Sequence, residues 1–243
     1  MKKFYYDLHI HSCLSPCGDN DMTPNNIAGM GVVAKLDIMA LTDHNTCRNC
    51  PAFFETARAN GIIPVAGMEL TTAEDIHLVC LFENLEDAMK FDGFVNDKRI
   101  PIKNRVDIFG EQLIMNSDDE IIGTDEFLLS NATQITVDEA PGLVELFGGI
   151  CYPAHIDREA NGIVATLGVF PDMPYFACYE LHDGDRKNEY EEHFPLLRDK
   201  PCAVSSDAHY LWDISGRLNC FELECEESEE DIRKKLFERL KGL

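Results

Sequence analysis

The sequence predicts an α/β fold, either a β/α barrel or a doubly wound sheet, interrupted by a short insertion. Two observations lead to this prediction. Short apolar runs of strand-forming residues alternate along the chain with amphipathic segments, and polar side chains recur where the apolar runs end. Such alternation is typical of parallel sheets covered by helices, and 243 residues are enough for one sizeable core.

The first part of the chain contains four predicted strands separated by helices. The strands are FYYDLHI, DIMALT, IIPVAGMEL and HLVCLF. The first helix, TPNNIAGMGVVAKL, is expected to begin at Thr23 as N-cap, with Pro24 at its first position. The second, PAFFETARAN, is expected to end at Gly61. A third, NLEDAMKFDGFV, follows the fourth strand and is interrupted by Gly93.

Residues 96–131 depart from this alternation. Two short apolar runs flank a polar NSDD turn there, which indicates a hairpin or irregular insertion within a single domain of residues 1–243. A helix follows with the capping signature of Thr136 and Glu139. The remaining predicted strands are ICYPAH, FACYELH, CAVSSDAH and LNCFELEC. An amphipathic helix capped by Ser228 closes the chain.

Composition narrows the functional classes. The N-terminus lacks the apolar core of a signal peptide and no apolar run could span a bilayer, so we expect a cytoplasmic protein without a membrane partner. Ten cysteines in such a chain are expected to be reduced thiols or metal ligands. A formal charge of −23 leads us to expect no duplex nucleic acid as partner. A small phosphorylated molecule or a short oligonucleotide stays open, because bound metal ions can reverse the local field.

Histidines and carboxylates lie at or next to the ends of most of these strands. His9 and His11 stand two residues apart, so both side chains project from one face of the first strand, which Asp7 shares as a candidate orienting partner. Neutral imidazole is a common ligand of Zn, Mn and Fe. The other members are Asp43, His44, Glu69, His77, His155, Asp207 and His209.

In a barrel, the C-terminal ends of the strands meet at one mouth, so these side chains are expected to form a multinuclear metal site. His77 fits least well, because it begins its apolar run. In a parallel barrel it would lie at the opposite end.

These motifs resemble the PHP (polymerase and histidinol phosphatase) family of metal-dependent phosphoesterases. The resemblance runs through His9-x-His11, Thr42-Asp43-His44, Glu69, His77, His155 and Asp207-x-His209. It implies a distorted seven-stranded, TIM-like β/α barrel that binds two or three Mn, Zn or Fe ions. It further implies a metal pair held by six residues: His9, His11, Glu69, His155, Asp207 and His209. A third ion would take His44 and His77, with Glu69 as bridge, while Asp43 would support a neighbour.

One departure from the family pattern concerns a carboxylate. The motif runs His-Ser-x-x-Ser-Asp-Gly-x-x-Thr-Pro, but Pro16 follows Ser15 here. Counting back from Thr23-Pro24 places Asp19 at the aspartate position after a three-residue insertion, so Asp19 is the predicted ligand and Asp21 the reserve.

Hydrolysis of a phosphate ester also needs a cation for the phosphoryl oxygens and a proton donor for the leaving group. Arg158 is the candidate cation, although a surface ion pair is an equal reading. His182 is the candidate donor, against the reading of a solvated loop histidine, and Arg186 and Arg217 are weaker candidates. An additional Zn or Fe–S site is a further hypothesis for four loop cysteines: Cys13, Cys17, Cys47 and Cys50.

The leading interpretation is therefore a metal-dependent phosphoesterase that hydrolyses a small phosphorylated metabolite or nucleotide by a metal-activated hydroxide. The alternatives are a phosphodiesterase or exonuclease on short single strands, an amidohydrolase-type C–N hydrolase, and a non-catalytic metal-binding module. The amidohydrolase type normally needs a bridging lysine, a position that Glu69 fills here. No signal in the sequence indicates an oligomeric state.

Overall fold

A computed structural model describes residues 2–214, 216, 219–224 and 228–243. In chain order, the larger elements of the first part are β1 (Lys2–Asp7), α1 (Pro24–Ala34), β2 (Ile38–Leu41), α2 (Cys50–Ala59), β3 (Ile63–Thr71), β4 (His77–Phe82) and α3 (Leu85–Asn96). Next come α4 (Val106–Phe109), β5 (Leu113–Met115), β6 (Ile121–Thr124), α5 (Ala140–Leu146) and β7 (Gly149–Pro153). The last elements are α6 (Ile163–Leu167), β8 (Tyr179–Leu181), α7 (Lys187–His193), β9 (Cys202–Val204), β10 (Cys220–Leu223) and α8 (Glu229–Leu240).

The fold is a mixed α/β arrangement around a curled six-stranded sheet in the order β10-β1-β2-β3-β4-β7. The α/β class is confirmed, but a continuous seven-stranded barrel is not. β8 and β9 form a separate parallel pair, joined to the sheet through isolated hydrogen bonds such as Ile156 N to Glu180 O and His11 N to Ala208 O.

The sheet also differs from the parallel arrangement that the β-α alternation predicted. β1, β2 and β3 are parallel, whereas β4 pairs antiparallel with both β3 and β7. The physical reason is the connection between β3 and β4, which consists of residues 72–76 alone. Parallel neighbours need a crossover of a dozen or more residues, so a link this short makes a hairpin.

Both faces of the sheet are buried. Met39 and Leu41 of β2 pack into a large core with Phe53 and Phe54 of α2, while the alternate residue Ile38 packs into a second core. The second core also contains four residues of α8: Ile232, Leu236, Phe237 and Leu240. Because side chains alternate along a strand, this double burial explains why the strands read as continuous apolar runs.

Helix starts follow the predicted signals. Thr23 caps α1 by accepting the N–H of Asn26, and Ser228 caps α8 by accepting the N–H of Asp231. No helix in the described part of the chain is both long and apolar enough to cross a membrane.

The segment 96–131 contains α4 and the β5–β6 hairpin. Leu113 and Met115 of the hairpin pack against Cys13, and Asn49 holds the same strand through its side chain, which donates to Leu113 O and accepts from Met115 N. The hairpin therefore packs against the loop that follows His11.

Candidate metal centre

The centre is built around the carboxylate of Glu69, near the C-terminal end of β3. Its two oxygens lie within 3.4 Å of nitrogens from five histidines. The pairs are Oε1 with His77 Nδ1 (2.8 Å), His155 Nε2 (3.0 Å) and His9 Nε2 (3.4 Å), and Oε2 with His44 Nδ1 (3.0 Å) and His11 Nε2 (3.2 Å). Both oxygens of this buried carboxylate therefore contact imidazole rings.

Asp207 is the second carboxylate of the centre, and it enters from the loop after β9. Its Oδ1 lies 3.1 Å from His11 Nε2 and 3.4 Å from His9 Nε2. His209 follows it, with its ring 4.2 Å from that of His11, centroid to centroid. The His-x-His pair therefore lies between two carboxylates, one from the first third of the chain and one from the last third.

Within the described residues, three overlapping groups have ligand atoms close enough to share one ion each. They are His9, His11, Glu69 and Asp207; His44, Glu69 and His77; and His11, His44 and His209. His155 contacts the first two groups through Glu69. The predicted histidines and both carboxylates are thus brought together in one buried cluster.

The position of His77 follows from the direction of β4. His77 begins that strand, as the sequence indicated, but β4 runs antiparallel and His77 pairs with Thr71 at the end of β3. The start of β4 therefore lies at the same edge of the sheet as the end of β3. A parallel β4 would have placed His77 at the opposite end, so the antiparallel direction removes the conflict that the sequence analysis noted for this residue.

Two members of the cluster have left-handed backbone. His155 has a φ of 26° and Asp207 a φ of 52°, and neither is glycine. Such conformations are costly for residues with a Cβ and persist where the surrounding structure enforces them. Both positions mark the point at which the chain turns from a strand end into the centre.

The two central histidines of the cluster, His9 and His11, have raised pKa values. Burial alone would lower the pKa of His11, but the adjacent carboxylates of Asp207 and Glu69 raise it to about 9. The pKa of His9 is likewise raised, against burial, by Glu180, Glu69 and Asp207. Burial would raise the pKa of each acid, but the histidines hold the pKa values of Glu69 and Asp207 well below their usual range.

The outer imidazoles behave differently. Burial lowers the pKa of His44 to about 4, and burial together with the positive charge of His11 lowers the pKa of His209 to about 3. Both are therefore neutral at physiological pH, which is the form that binds metal.

Glu180 is a buried residue of the centre that the sequence analysis missed. His9 Nδ1 donates to its Oε1 at 2.8 Å, and the same oxygen accepts the backbone N–H of His155 at 3.1 Å. This bond leaves Nε2 of His9 directed at Glu69 and Asp207. A lone carboxylate inside the apolar run FACYELH was the available signal, because a buried acid needs a partner.

Asp43 supports the loop that carries His11. Its oxygens accept from Ser12 N, Ser12 Oγ and Ser15 Oγ at 2.6–2.7 Å, and Ser15 Oγ lies 2.9 Å from His11 Nδ1. This chain of bonds fixes the ring of His11 with Nε2 toward the carboxylates. Asp7, the other candidate orienting residue, instead accepts the backbone N–H groups of His9 and Ser206.

The loop after His11 turns at Gly18, where an added Cβ would lie 2.3 Å from the Ser12 carbonyl oxygen. Asp19 then lies next to His209, whose carbonyl accepts its N–H at 2.9 Å. The Asp19 carboxylate accepts the N–H of Asp21, and neither aspartate belongs to the three groups.

Arg158 and His182 lie beside Asp207. Arg158 Nη1 donates to Asp207 Oδ2 at 2.6 Å, and Nη2 lies 3.2 Å from the ring of His182. Arg186 is held elsewhere, by Glu189 and the Asp157 carbonyl. Arg217 lies outside the described residues.

The four loop cysteines do not converge. Cys47 and Cys50 are buried and both donate to the Gly67 carbonyl, Cys13 contacts Leu113, and Cys17 is exposed. No cysteine joins a metal-sized group in the part of the chain that the structure describes.

The centre has the chemistry that divalent metals require. Imidazole and carboxylate ligands suit Mn, Zn and Fe. His44 Nδ1 and Asp207 Oδ1 are buried and have no hydrogen-bond partner among the described residues, although each lies within 3.1 Å of another polar atom of the cluster. Buried atoms left without a partner in this way are available as metal ligands.

Comparison with known proteins agrees with this picture. Residues 7–127, about half of the chain, match the family model of the PHP domain. No curated protein matches the sequence.

Several solved structures share the fold. The lesion-specific endonuclease Q from Pyrococcus furiosus superposes with a TM-score of 0.66 at 18% identity, over 100% of this chain and 56% of that one. An endonuclease Q complex with a 27-mer duplex carrying an abasic lesion at the active site gives 0.62 at 17% identity, over 96% and 56%. A protein assigned as a metal-dependent phosphoesterase from Bifidobacterium adolescentis gives 0.63 at 15% identity, over 96% of both chains. This chain thus spans just over half the length of the endonucleases.

The expectation that excluded duplex nucleic acid is wrong. The complex of endonuclease Q shows that this fold accommodates a DNA duplex at its active site. The net charge of −23 was a poor basis for the exclusion, because binding depends on the local field of a cleft and of its metal ions.

Proposed function

Because the chain belongs to the PHP domain family, whose members are metal-dependent hydrolases, we propose that its reaction is the hydrolysis of phosphate esters. The observation that carries this proposal is the Glu69 carboxylate, which lies within 3.4 Å of five histidines and beside a second carboxylate, Asp207. We treat residues 1–243 as one domain with an insertion at residues 96–131.

We assign two or three divalent ions, Mn, Zn or Fe, to the three groups. The pair would be held by His9, His11, Glu69, His155, Asp207 and His209, and the third ion by His44, His77 and Glu69. Asp19 would complete the set if its carboxylate turned from the Asp21 N–H toward His209. When bound, the ions would supply an activated water and Lewis-acid stabilisation of the phosphoryl oxygens.

Two side chains of the protein would bind the phosphoryl group and protonate the leaving oxygen. Arg158 is held by Asp207 through Nη1, which leaves other N–H groups of this half-exposed guanidinium for phosphoryl oxygens. His182, 3.2 Å from Arg158, is exposed and lies where it could protonate the leaving oxygen. These roles would make Arg158 a substrate-binding residue and His182 the general acid.

We favour a small phosphorylated molecule as substrate. The likeness to endonuclease Q over the whole chain favours a second candidate, cleavage of nucleic acid. This chain corresponds to 56% of that enzyme.

The test is hydrolysis by protein loaded anaerobically with Mn²⁺. Phosphate release is measured for phosphomonoesters, including histidinol phosphate and nucleoside 3′,5′-bisphosphates, and strand cleavage is measured by gel electrophoresis for a DNA duplex with an abasic site. Asp207→Ala should abolish turnover, whereas the exposed control Asp138→Ala should not. Cleavage of the duplex alone would establish the nuclease. No turnover of any ester with metals bound would refute the proposal and favour a C–N hydrolase or a non-catalytic module.

A further inference from the structure

Two buried cysteines face each other on neighbouring strands of the sheet. Cys80 of β4 and Cys151 of β7 lie directly opposite in the antiparallel ladder, and their sulfur atoms are 3.8 Å apart. Both are free thiols, and both side chains belong to the large core described above. None of the roles above uses this pair.

The hydrogen bonds of the ladder place this pair at a position that suits a covalent bond. The N–H of Ala154 donates to the His77 carbonyl at 3.1 Å, so these two opposing residues form a hydrogen-bonded pair. Hydrogen-bonded and non-hydrogen-bonded pairs alternate along antiparallel strands, so Cys80 and Cys151 form a non-hydrogen-bonded pair. The Cα atoms of such a pair are about 4.5 Å apart, which is within the range that a disulfide spans.

Each of the two strands also presents a histidine to the metal centre. His77 begins β4 three residues before Cys80, and His155 follows β7 four residues after Cys151. The two imidazoles meet at the same oxygen of Glu69, at 2.8 and 3.0 Å. The relative position of β4 and β7 therefore sets the distance between two candidate metal ligands.

We propose that Cys80 and Cys151 form a reversible disulfide when the protein meets a peroxide, and that this bond fastens β4 to β7. It would hold His77 and His155 at a fixed spacing around Glu69. Because the Cα spacing already suits a disulfide, rotation of the two side chains is enough to bring the sulfur atoms from 3.8 Å to a bonding distance of about 2 Å. In a reducing compartment the pair stays as two thiols until an oxidant is present. The proposal does not depend on the phosphoesterase function.

The reaction has two steps, in which two thiols and one hydrogen peroxide give one disulfide and two waters. Cys151, which is 6% exposed against 0% for Cys80, reacts first. Its sulfur attacks one peroxide oxygen, the O–O bond breaks, and a sulfenic acid and one water form. Burial raises the pKa of the Cys80 thiol, which therefore keeps its proton until the second step. The sulfur of Cys80 then attacks the sulfur of the sulfenic acid, the S–O bond breaks, and the leaving hydroxide takes the Cys80 proton to become the second water.

The experiment treats the whole chain, loaded with the redox-inactive ion Zn²⁺, with hydrogen peroxide. Remaining thiols are then blocked with iodoacetamide in denaturant, and proteolysis without reductant shows which cysteines are linked. We expect one cross-linked peptide that joins Cys80 to Cys151 and is cleaved by dithiothreitol. Cys151→Ala should lose this link, whereas Cys50→Ala, a buried control in the same core, should keep it. Recovery of both cysteines as blocked thiols, or a link from either one to another cysteine, would overturn the proposal.

Thermal unfolding and metal transfer test what the bond does to the fold. A bond between these positions closes a loop of about 70 residues, so oxidation should raise Tm by roughly 5–15 °C, and dithiothreitol should reverse the rise. Transfer of Zn²⁺ to a chromogenic chelator should slow severalfold, because β4 could no longer separate from β7. Peroxide-treated Cys151→Ala should show neither change. An unaltered Tm or an unaltered rate of transfer in linked wild type would refute the fastening of the two strands.

Discussion

Replacing Glu69 by glutamine tests whether one carboxylate organises the whole centre. Glu69 belongs to two of the three candidate ion groups, while the group of His11, His44 and His209 does not include it. Glutamine keeps the shape of the side chain and removes its charge. We therefore expect Glu69→Gln to lose the ions of the two groups that contain Glu69. It should retain at most an ion in the group of His11, His44 and His209.

The magnitude follows from burial. Glu69 is 1% exposed, and removing one partner of a buried charged pair costs about 3–5 kcal/mol. Metal affinity in the two affected groups should fall between about a hundredfold and a few thousandfold. His77→Asn is the matched comparison, because His77 belongs to one group only.

The assay is metal content per chain after equilibration with a fixed concentration of free Mn²⁺. We expect wild type to bind the most metal, His77→Asn less and Glu69→Gln least. Equal stoichiometry in Glu69→Gln and wild type, with both variants folded by circular dichroism, would refute the bridging role.

The metal-free protein gives a second readout. The pKa of His11 is about 9 in the fold against 6.5 for the unperturbed group. The stability that its proton contributes is therefore fully present below about pH 6.5 and is lost as the pH rises through about 9. Because Glu69 helps to raise that pKa, Glu69→Gln should lower Tm more at pH 6 than at pH 9.5.

Three further predictions follow from the same geometry. Glu180→Gln should weaken Mn²⁺ binding by about 10–100-fold, measured by chelator competition at pH 9, because it removes the partner of His9, whereas the exposed control Glu192→Gln should bind normally. Metal binding should release the His11 proton below about pH 9, so affinity should rise about tenfold per pH unit per proton released from pH 7 to 8. Calorimetry at about pH 7 in buffers of different ionisation enthalpy measures the number of protons released, and a value of zero would contradict this prediction. Arg158→Ala should lower kcat/KM by about 10²–10³ with metal content retained, while the surface control Arg198→Ala should not change it; an unaltered rate in Arg158→Ala would exclude its role at the phosphoryl group.

Much of the centre could be predicted because its residues lie in short motifs at strand ends. His9-x-His11 and Asp207-x-His209 are close in sequence, and their convergence follows from an α/β fold whose strands end at one edge. The capping pair of Thr136 and Glu139 also forms, with mutual hydrogen bonds just before α5. Local patterns of this kind depend little on the rest of the chain.

Other features depend on tertiary pairing that the sequence does not encode locally. The direction of β4 is set by a short connection, and without it His77 could not be placed. Glu180 lies inside a buried strand pair, and its partner His9 comes from the other end of the chain. The position of the Asp19 carboxylate depends on the path of the loop, which turns at Gly18 close to the Ser12 carbonyl. In this loop the carboxylate accepts the backbone N–H of Asp21.

The joining of the two chain ends at the centre has a mechanical consequence. An ion held by His9, His11, Glu69 and Asp207 would cross-link the beginning of the chain to its last third. A cross-link that closes so long a loop lowers the conformational entropy of the unfolded chain. Metal loading would therefore raise the free energy of unfolding of the whole fold. Removal of metal should therefore loosen first the contact between the segment after β1 and the loop after β9, at the bridge between Ile10 and Ala208.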